Sequence, residues 1–180
     1  MTLRTDGIPV LYFIVCGGPP AADAATFVKR AQAAGWDVCV IATPAATRFI
    51  DAPSLEALTS HPVRSDYKLP DEPDVLPQAD AIVVAPATFN TMNKVIAGAA
   101  DTLAISLVCE YLGLDVPILM APNVNPALAR HPTYRDNIAR LRGWGITVLH
   151  DPSAPPPTWM AAWEDIQLEL NRRTNINSGA

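Results

Sequence analysis

Five short apolar runs, alternating with helix-like patterns, constrain the fold of this 180-residue chain more than any other feature. The runs are rich in β-branched residues, which is typical of strands buried on both faces of a parallel sheet. We predict strands over residues 10–16, 38–42, 80–85, 116–121 and 146–149. Because parallel strands are joined by crossover helices, this alternation predicts a doubly wound α/β sheet with helices on both faces, in three layers.

Helical patterns lie between and after these predicted strands. They cover residues 21–34, 45–50, 54–60, 92–99, 103–112, 134–141 and 159–170. The last pattern is amphipathic, so we expect that helix to dock back on the sheet. Residues 61–78 carry four prolines and fit no period, which predicts a long surface loop. We expect a single domain over residues 1–172 and a flexible tail over 173–180.

Composition excludes several classes of protein. Apolar residues make up 49% of the chain, and the formal net charge is −5, which disfavours disorder and a nucleic-acid-binding surface. The three cysteines lack metal-ligand spacing, so we predict free thiols and no metal site. No apolar run approaches the roughly 20 residues of a membrane span, and the amino terminus does not resemble a signal peptide. We therefore expect a cytoplasmic protein that binds no membrane.

Four predicted strands end in loops rich in Gly, Pro, Thr or Asn, and these loops share one edge of a parallel sheet. They begin at Gly17-Gly18, Thr43-Pro44, Pro86 and Pro122. Pro86 is predicted to end its strand, because proline cannot donate to the ladder. Ligands bind at this edge in open parallel sheets, where helix amino termini also attract anions. No Gly-x-Gly-x-x-Gly fingerprint is present, so a mononucleotide is favoured over a dinucleotide.

The run Pro-Ala-Thr-Phe-Asn-Thr at residues 86–91 resembles the Pro-Ala-Ser-Ala-Asn-Thr motif of the homo-oligomeric flavin-containing cysteine decarboxylases. Phosphopantothenoylcysteine decarboxylase and the lantibiotic cysteine decarboxylases belong to that family. Its second motif, Pro-x-Met-Asn-x-x-Met-Trp, is matched in part by residues 122–129. The Gly17-Gly18 turn is also similar, and the resemblance covers about residues 8–150.

The resemblance implies a flavodoxin-like, Rossmann-like subunit that binds FMN in a cleft shared between subunits of a trimer or an assembly of trimers. It implies a small-molecule or peptide substrate, and it assigns Asn125 to the substrate's carboxylate side. The residues that it assigns to the cofactor are Gly17, Gly18, Thr43, Pro86, Ala87, Thr88, Phe89, Asn90 and Thr91. From the residues alone, Asn90 and Asn125 are equally interpretable as helix caps.

Departures from the family pattern affect the predicted chemistry. The family carries a histidine needed for its reaction at about the position of Glu72, where none of the three histidines of this chain aligns. Leu128-Ala129 replaces the Met-Trp pair, and no cysteine follows Cys109. A carboxylate replaces an imidazole base poorly unless its pKa is raised. We therefore predict retained FMN binding with altered catalysis, and take Asn125 and Glu72 as the candidate catalytic residues.

Three functions follow from these patterns. The first is an FMN-dependent decarboxylase or oxidoreductase that uses the flavin as electron sink on a small thiol or carboxylic acid. The second is a flavin-binding regulatory subunit without catalysis. The third is a flavin prenyltransferase, which is the least favoured because only Arg48 and Lys94 are available near the mouth for a second phosphate.

Overall fold

The computed structural model describes residues 7–69, 71, 76–150 and 160–175 of the chain. Its strands are β1 (Val10–Val15), β2 (Asp37–Ala42), β3 (Ala81–Ala87), β4 (Ile118–Pro122) and β5 (Thr147–Val148). They form one parallel sheet in the order β2-β1-β3-β4-β5. This is the flavodoxin-like strand order, and it confirms the predicted fold class. The order changes direction between β1 and β3, where such sheets open a crevice at their carboxyl edge.

Seven α-helices are present among the described residues. They are α1 (Ala24–Ala33), α2 (Ala52–Thr59), α3 (Phe89–Ala97), α4 (Leu103–Leu112), α5 (Pro126–Ala129), α6 (Pro132–Gly143) and α7 (Trp163–Thr174). Two short 3-10 helices, Pro19–Asp23 and Ala46–Arg48, follow β1 and β2. In the described part of the chain, no helix is long and apolar enough to cross a membrane.

The sheet is buried on both faces, as the apolar runs predict. Phe13 and Ile14 are neighbours in β1 and both are 0% exposed, because successive side chains of a strand point to opposite faces. Ile14 belongs to a core cluster with buried residues of α3, α4 and α6. Phe13 belongs to a second cluster with buried residues of α1, α2 and α7. The two clusters confirm the predicted three-layer arrangement.

The predicted end of β3 at Ala85 is wrong. The strand continues through Pro86 to Ala87, and the Ala85–Pro86 peptide bond is cis. Pairing with β4 shifts register between Val84 and Ala87. The residue that has no N–H therefore lies where the ladder is interrupted, and the strand tolerates it.

The carboxy-terminal helix docks on the sheet as predicted, with Ile166 and Leu170 0% exposed. It continues to Thr174, so the tail that we predict from residue 173 overlaps its last turn. Thr174 is buried, and its hydroxyl donates to the Leu170 carbonyl at 2.8 Å. Trp159, the predicted start of the helix, and residues 176–180 of the predicted tail lie outside the described residues.

The predicted long loop contains a short extension of the sheet. Arg64 forms an isolated bridge with Ile41. Its carbonyl accepts from the Ala42 N–H at 2.8 Å, and its own N–H donates to the Val40 carbonyl at 3.2 Å. The loop thus occupies hydrogen-bonding groups along the outer edge of β2, which blunts that exposed edge.

Candidate functional site

The loops that follow β1, β2, β3 and β4 converge at the carboxyl edge of the sheet. A Cβ added to Gly17 would lie 2.9 Å from the Ala45 Cβ, so the β1 and β2 loops are in close contact. A Cβ added to Gly18 would lie 3.7 Å from the Pro86 Cγ and 3.5 Å from the Asn123 Nδ2. Gly18 therefore stands where the β1, β3 and β4 loops meet.

The structural reason for a glycine differs between the two positions. Any Cβ at Gly17 clashes with the backbone and Cβ of Ala45, so Gly17 is required by packing within the protein. Gly18 has an extended backbone, with φ of −167°, and a Cβ there would meet only ordinary contacts. A side chain at Gly18 would instead occupy space between the loops, where a ligand can approach the backbone.

Helix α3 presents its amino terminus to this edge. The Thr88 Oγ1 accepts a hydrogen bond from the Thr91 N–H at 3.3 Å and so caps the helix. The N–H groups of Phe89 and Asn90 have no acceptor within the described ranges of the chain. Asn90 is exposed beside them. A helix terminus with free N–H groups and a positive dipole end is suited to an anion.

Thr91 and Ala87 are buried residues next to the start of α3. Thr91 is 3% exposed, and its hydroxyl lies 3.0 Å from the Thr88 hydroxyl. Cys16, at the end of β1, is hydrogen-bonded to the Thr91 side chain and the Thr88 backbone, but burial dominates and raises the pKa of its thiol. Ala87 is fully buried and its carbonyl accepts from the Asn123 N–H at 2.9 Å. These residues fix the start of α3 without exposing their own side chains.

Thr43 shapes the loop after β2. It is 7% exposed, and its N–H donates to the Val15 carbonyl at 2.9 Å, which ties the loop to the end of β1. Its hydroxyl lies 3.3 Å from the Ala46 nitrogen and accepts from that N–H. Arg48 closes the 3-10 helix that follows and brings a cationic side chain to the loop.

Phe89 packs against aromatic side chains that follow β4. Its ring centroid lies 5.6 Å from that of His131 and 6.3 Å from that of Tyr134. His131 also caps α6, with its Nδ1 accepting from the Thr133 N–H at 3.3 Å. Phe89 is half-buried, so one part of its ring faces the neighbouring loop and the rest reaches solvent.

Asn125 occupies a capping position. Its Oδ1 accepts from the Leu128 N–H at 2.9 Å and starts α5, a helix that the sequence did not predict. Asn125 is exposed, so its amide nitrogen faces solvent at the same edge as Gly18. The cap and the substrate contact implied by the resemblance use different atoms of the side chain.

The remaining charged and histidine candidates from the sequence differ in where they lie relative to the converging loops. Glu72 falls outside the described residues. His61 pairs with Asp37 at 2.8 Å, and Asp37 begins β2 at the amino edge, away from the converging loops. Lys94 lies in the second turn of α3, and its ammonium pairs with the Asp101 carboxylate at 2.6 Å. Arg48 is therefore the cationic side chain that the β2 loop offers without an ion partner among the described residues.

Asn123 is a site residue that the sequence reasoning missed. It lies one residue after Pro122 in a run that also contains Asn125, and only Asn125 matches an asparagine of the family motif. Its position in the sequence could have identified it, because a polar residue directly after a buried parallel strand lies at the carboxyl-edge crevice.

A family model described as Flavoprotein matches residues 4–175. The chain belongs to the Flavoprotein family. This confirms the resemblance to the flavin-containing cysteine decarboxylases that the residue motifs indicated.

Curated members of the family are similar over most of the chain. The coenzyme A biosynthesis bifunctional protein CoaBC of Mycolicibacterium smegmatis is 36% identical over 143 residues, which are 77% of this chain and 34% of that protein. The chain thus spans about a third of the length of such relatives. A probable phosphopantothenoylcysteine decarboxylase of Streptococcus mutans is 33% identical over 78% of this chain and 81% of its own length.

Solved structures share the fold of this Flavoprotein family member. A phosphopantothenoylcysteine decarboxylase variant in complex with pantothenoylaminoethenethiol superposes with a TM-score of 0.78 at 19% identity, over 94% of this chain and 100% of the other. The FMN-binding protein AtHal3 gives 0.76 at 18% identity, over 95% and 99%.

Proposed function

We propose that this Flavoprotein family member binds FMN at the carboxyl edge of its sheet and uses it in a redox or decarboxylation step on a small thiol or carboxylic acid. The observation that carries the proposal is the meeting of three loops at Gly18, at the sheet edge where α3 presents its amino terminus. Relatives named as decarboxylases and as an FMN-binding protein support the choice of cofactor and reaction class.

The donor groups at this edge fit a phosphorylated flavin. The Phe89 and Asn90 N–H groups at the start of α3 would hold the phosphate, with the Arg48 guanidinium adding positive charge. The Thr43 hydroxyl can donate while its oxygen accepts from Ala46. Gly18 leaves room for the ligand to approach the backbone, and the Asn123 amide beside it offers both a donor and an acceptor.

When bound, the flavin supplies an electron acceptor, which is the chemistry that amino-acid side chains lack. The side chains of this chain would orient the substrate. The exposed Asn125 amide nitrogen is a donor for a substrate carboxylate, because its Oδ1 is already committed to the α5 cap. We extend the proposal to Glu72 as a base, on the position given by the resemblance alone.

The proposal includes a homo-oligomer with a small-molecule or peptide substrate. Phe49 lies in the loop after β2 and Leu128 in α5 after β4, and they are 40% and 38% exposed. Exposed apolar side chains beside a cleft are suited to contact with a second copy of the chain. Size-exclusion chromatography with light scattering checks this part, and a monomer at micromolar concentration contradicts it.

The function is tested with the purified full chain and FMN. We expect flavin absorbance to co-purify or to be restored by FMN, and one class of thiol or carboxylic acid to bleach it under anaerobic conditions. A yellow protein that no such compound bleaches, and that retains a protein partner, contradicts the catalytic proposal and favours the regulatory subunit. A protein with no affinity for FMN contradicts both.

A further inference from the structure

A cavity lies along helix α6. It has a volume of about 390 Å³ and is lined by Arg135, Ile138, Ala139, Arg142 and His150. The four lining residues of α6 are spaced three, four and seven positions apart, so they form one stripe along the helix. Asn137 projects from the opposite flank and donates to the Asn93 side chain of α3. The cavity therefore lies on a different side of α6 from the contact with Asn93.

The cavity concentrates positive charge. Neither Arg135 nor Arg142 forms an ion pair with any residue that the structure describes. The Arg142 Nη2 donates to the backbone carbonyls of Val148 at 2.9 Å and His150 at 3.3 Å. These neutral acceptors fix the guanidinium in place without cancelling its charge. An anchored arginine beside a second, exposed one forms a preorganised anion receptor.

The remaining walls are formed by Ile138, Ala139 and the His150 ring. Ile138 is 6% exposed and belongs to the core cluster, so the floor of the cavity is part of the packed interior. The His150 ring lies edge-on to the buried Tyr134 ring, with centroids 5.4 Å apart, which fixes the orientation of the imidazole. A volume of this size is within the range of small-molecule sites.

We infer that this cavity binds a small organic anion through its carboxylate or phosphate oxygens. The oxygens lie between the Arg135 and Arg142 guanidinium groups, and a short apolar tail packs on Ile138 and Ala139. Two arginine forks match the geometry of either oxyanion, and the apolar floor selects an anion that carries a hydrocarbon body over an inorganic one. None of the lining residues is one that the proposed function assigns to the flavin, so the inference does not depend on flavin binding.

The test is a titration of the full chain, with and without FMN, observed by calorimetry and by NMR shifts of α6. Hexanoate and hexyl phosphate are the anionic probes, and hexanol and hexylammonium are their neutral and cationic counterparts. We expect at least one anion to bind about 10-fold or more tightly than hexanol, since a charge-assisted hydrogen bond is lost in the alcohol. The tighter of the two anions identifies the oxyanion class, and added FMN should leave its affinity unchanged.

Variants of two arginines on α6 distinguish binding in the cavity from a general effect of positive charge on the helix. Arg135→Gln should weaken anion binding about 10-fold. Arg140→Gln removes the same charge from the same helix, but the Arg140 guanidinium lies 5.6 Å from the centroid of the Trp144 ring, so this control should bind normally. Ala139→Phe should abolish binding by filling the cavity with both arginines intact. Equal binding of hexanol and the anions, equal effects of the two arginine variants, or unaffected binding to Ala139→Phe would each overturn the inference.

Discussion

Gly18 and Asn123 face each other across the carboxyl edge of the sheet, since a Cβ added to Gly18 would stand 3.5 Å from the Asn123 Nδ2. The two residues follow β1 and β4, which are separated by β3 in the sheet. The two loops border the crevice over the end of β3, where the Asn123 N–H also donates to the Ala87 carbonyl. The proposed flavin site lies at this crevice.

Replacing each glycine by alanine distinguishes an effect on stability from an effect on FMN binding. Gly17→Ala should lower the free energy of unfolding by about 1–3 kcal/mol, because the new Cβ would lie 2.9 Å from the Ala45 Cβ. Gly18→Ala should leave stability nearly unchanged and weaken FMN binding about 10-fold, because its methyl group enters the space between the loops. Urea unfolding and FMN titration measure the two effects. Normal FMN binding by Gly18→Ala would contradict the placement of the site.

Two helix caps provide a matched pair. The Thr88 and Thr102 side chains each accept a hydrogen bond from the N–H three residues later, at the starts of α3 and α4. Replacing either by Ala should cost about 1 kcal/mol of unfolding free energy. Only Thr88→Ala should also weaken FMN binding, because α3 starts directly after β3, whereas α4 starts after α3. Equal FMN affinity for the two variants counts against a role for the α3 terminus.

Asp80 anchors the amino edge of the sheet. It is 7% exposed, and its Oδ2 accepts from the Val10 N–H at 2.8 Å. Asp80→Ala should cost about 1–3 kcal/mol of unfolding free energy, because it leaves that buried N–H without an acceptor. Asp80→Asn retains an acceptor oxygen and should cost less. FMN affinity should be unchanged in both variants, since this contact lies at the opposite edge. Equal loss of stability in the two variants is the contradicting result.

The Cys39 thiol makes stability depend on pH in the alkaline range. Burial, assisted by the charge of Asp37, raises the pKa of Cys39 from an ordinary value of 9.0 to about 12. The unfolded chain therefore releases this proton first, and stability should fall as pH rises from 9 towards 12. One thiol contributes a slope of at most about 1.4 kcal/mol per pH unit. Cys39→Ala should show a shallower slope between pH 9 and 11 in urea unfolding, and an unchanged slope would contradict this assignment.

Hydrophobic pattern was sufficient to predict the sheet and the core. Each strand interior is buried on both faces, and this burial permits only apolar residues, so the pattern in the sequence is strong. The docking of the last helix through Ile166 and Leu170 was predictable for the same reason.

Local polar chemistry was harder to predict. Helix α3 begins at Phe89, three residues before its apolar pattern, because the Thr88 side chain caps it. Helix α5 is a single turn started by Asn125 and has no apolar face to detect. Pro86 predicts a strand end, because the sequence around a proline carries no information about the register shift in the pairing of β3 with β4.

The site was predictable only in part from the residues. The convergence of the loops follows from parallel topology, and the apolar pattern from residue 92 predicts α3, although the helix already starts at Phe89 within the motif. Asn123 and Gly18 are more than 100 positions apart in the sequence, and only the packing of the sheet brings them close together in space.

The most direct test of the central claim is a fluorescence titration of FMN with the full chain and its Gly18→Ala variant. The account predicts that the wild-type chain saturates at one FMN per chain, with a Kd on the order of 1 μM or below, and that Gly18→Ala binds about 10-fold more weakly. FMN fluorescence that stays unchanged up to excess wild-type protein would contradict it.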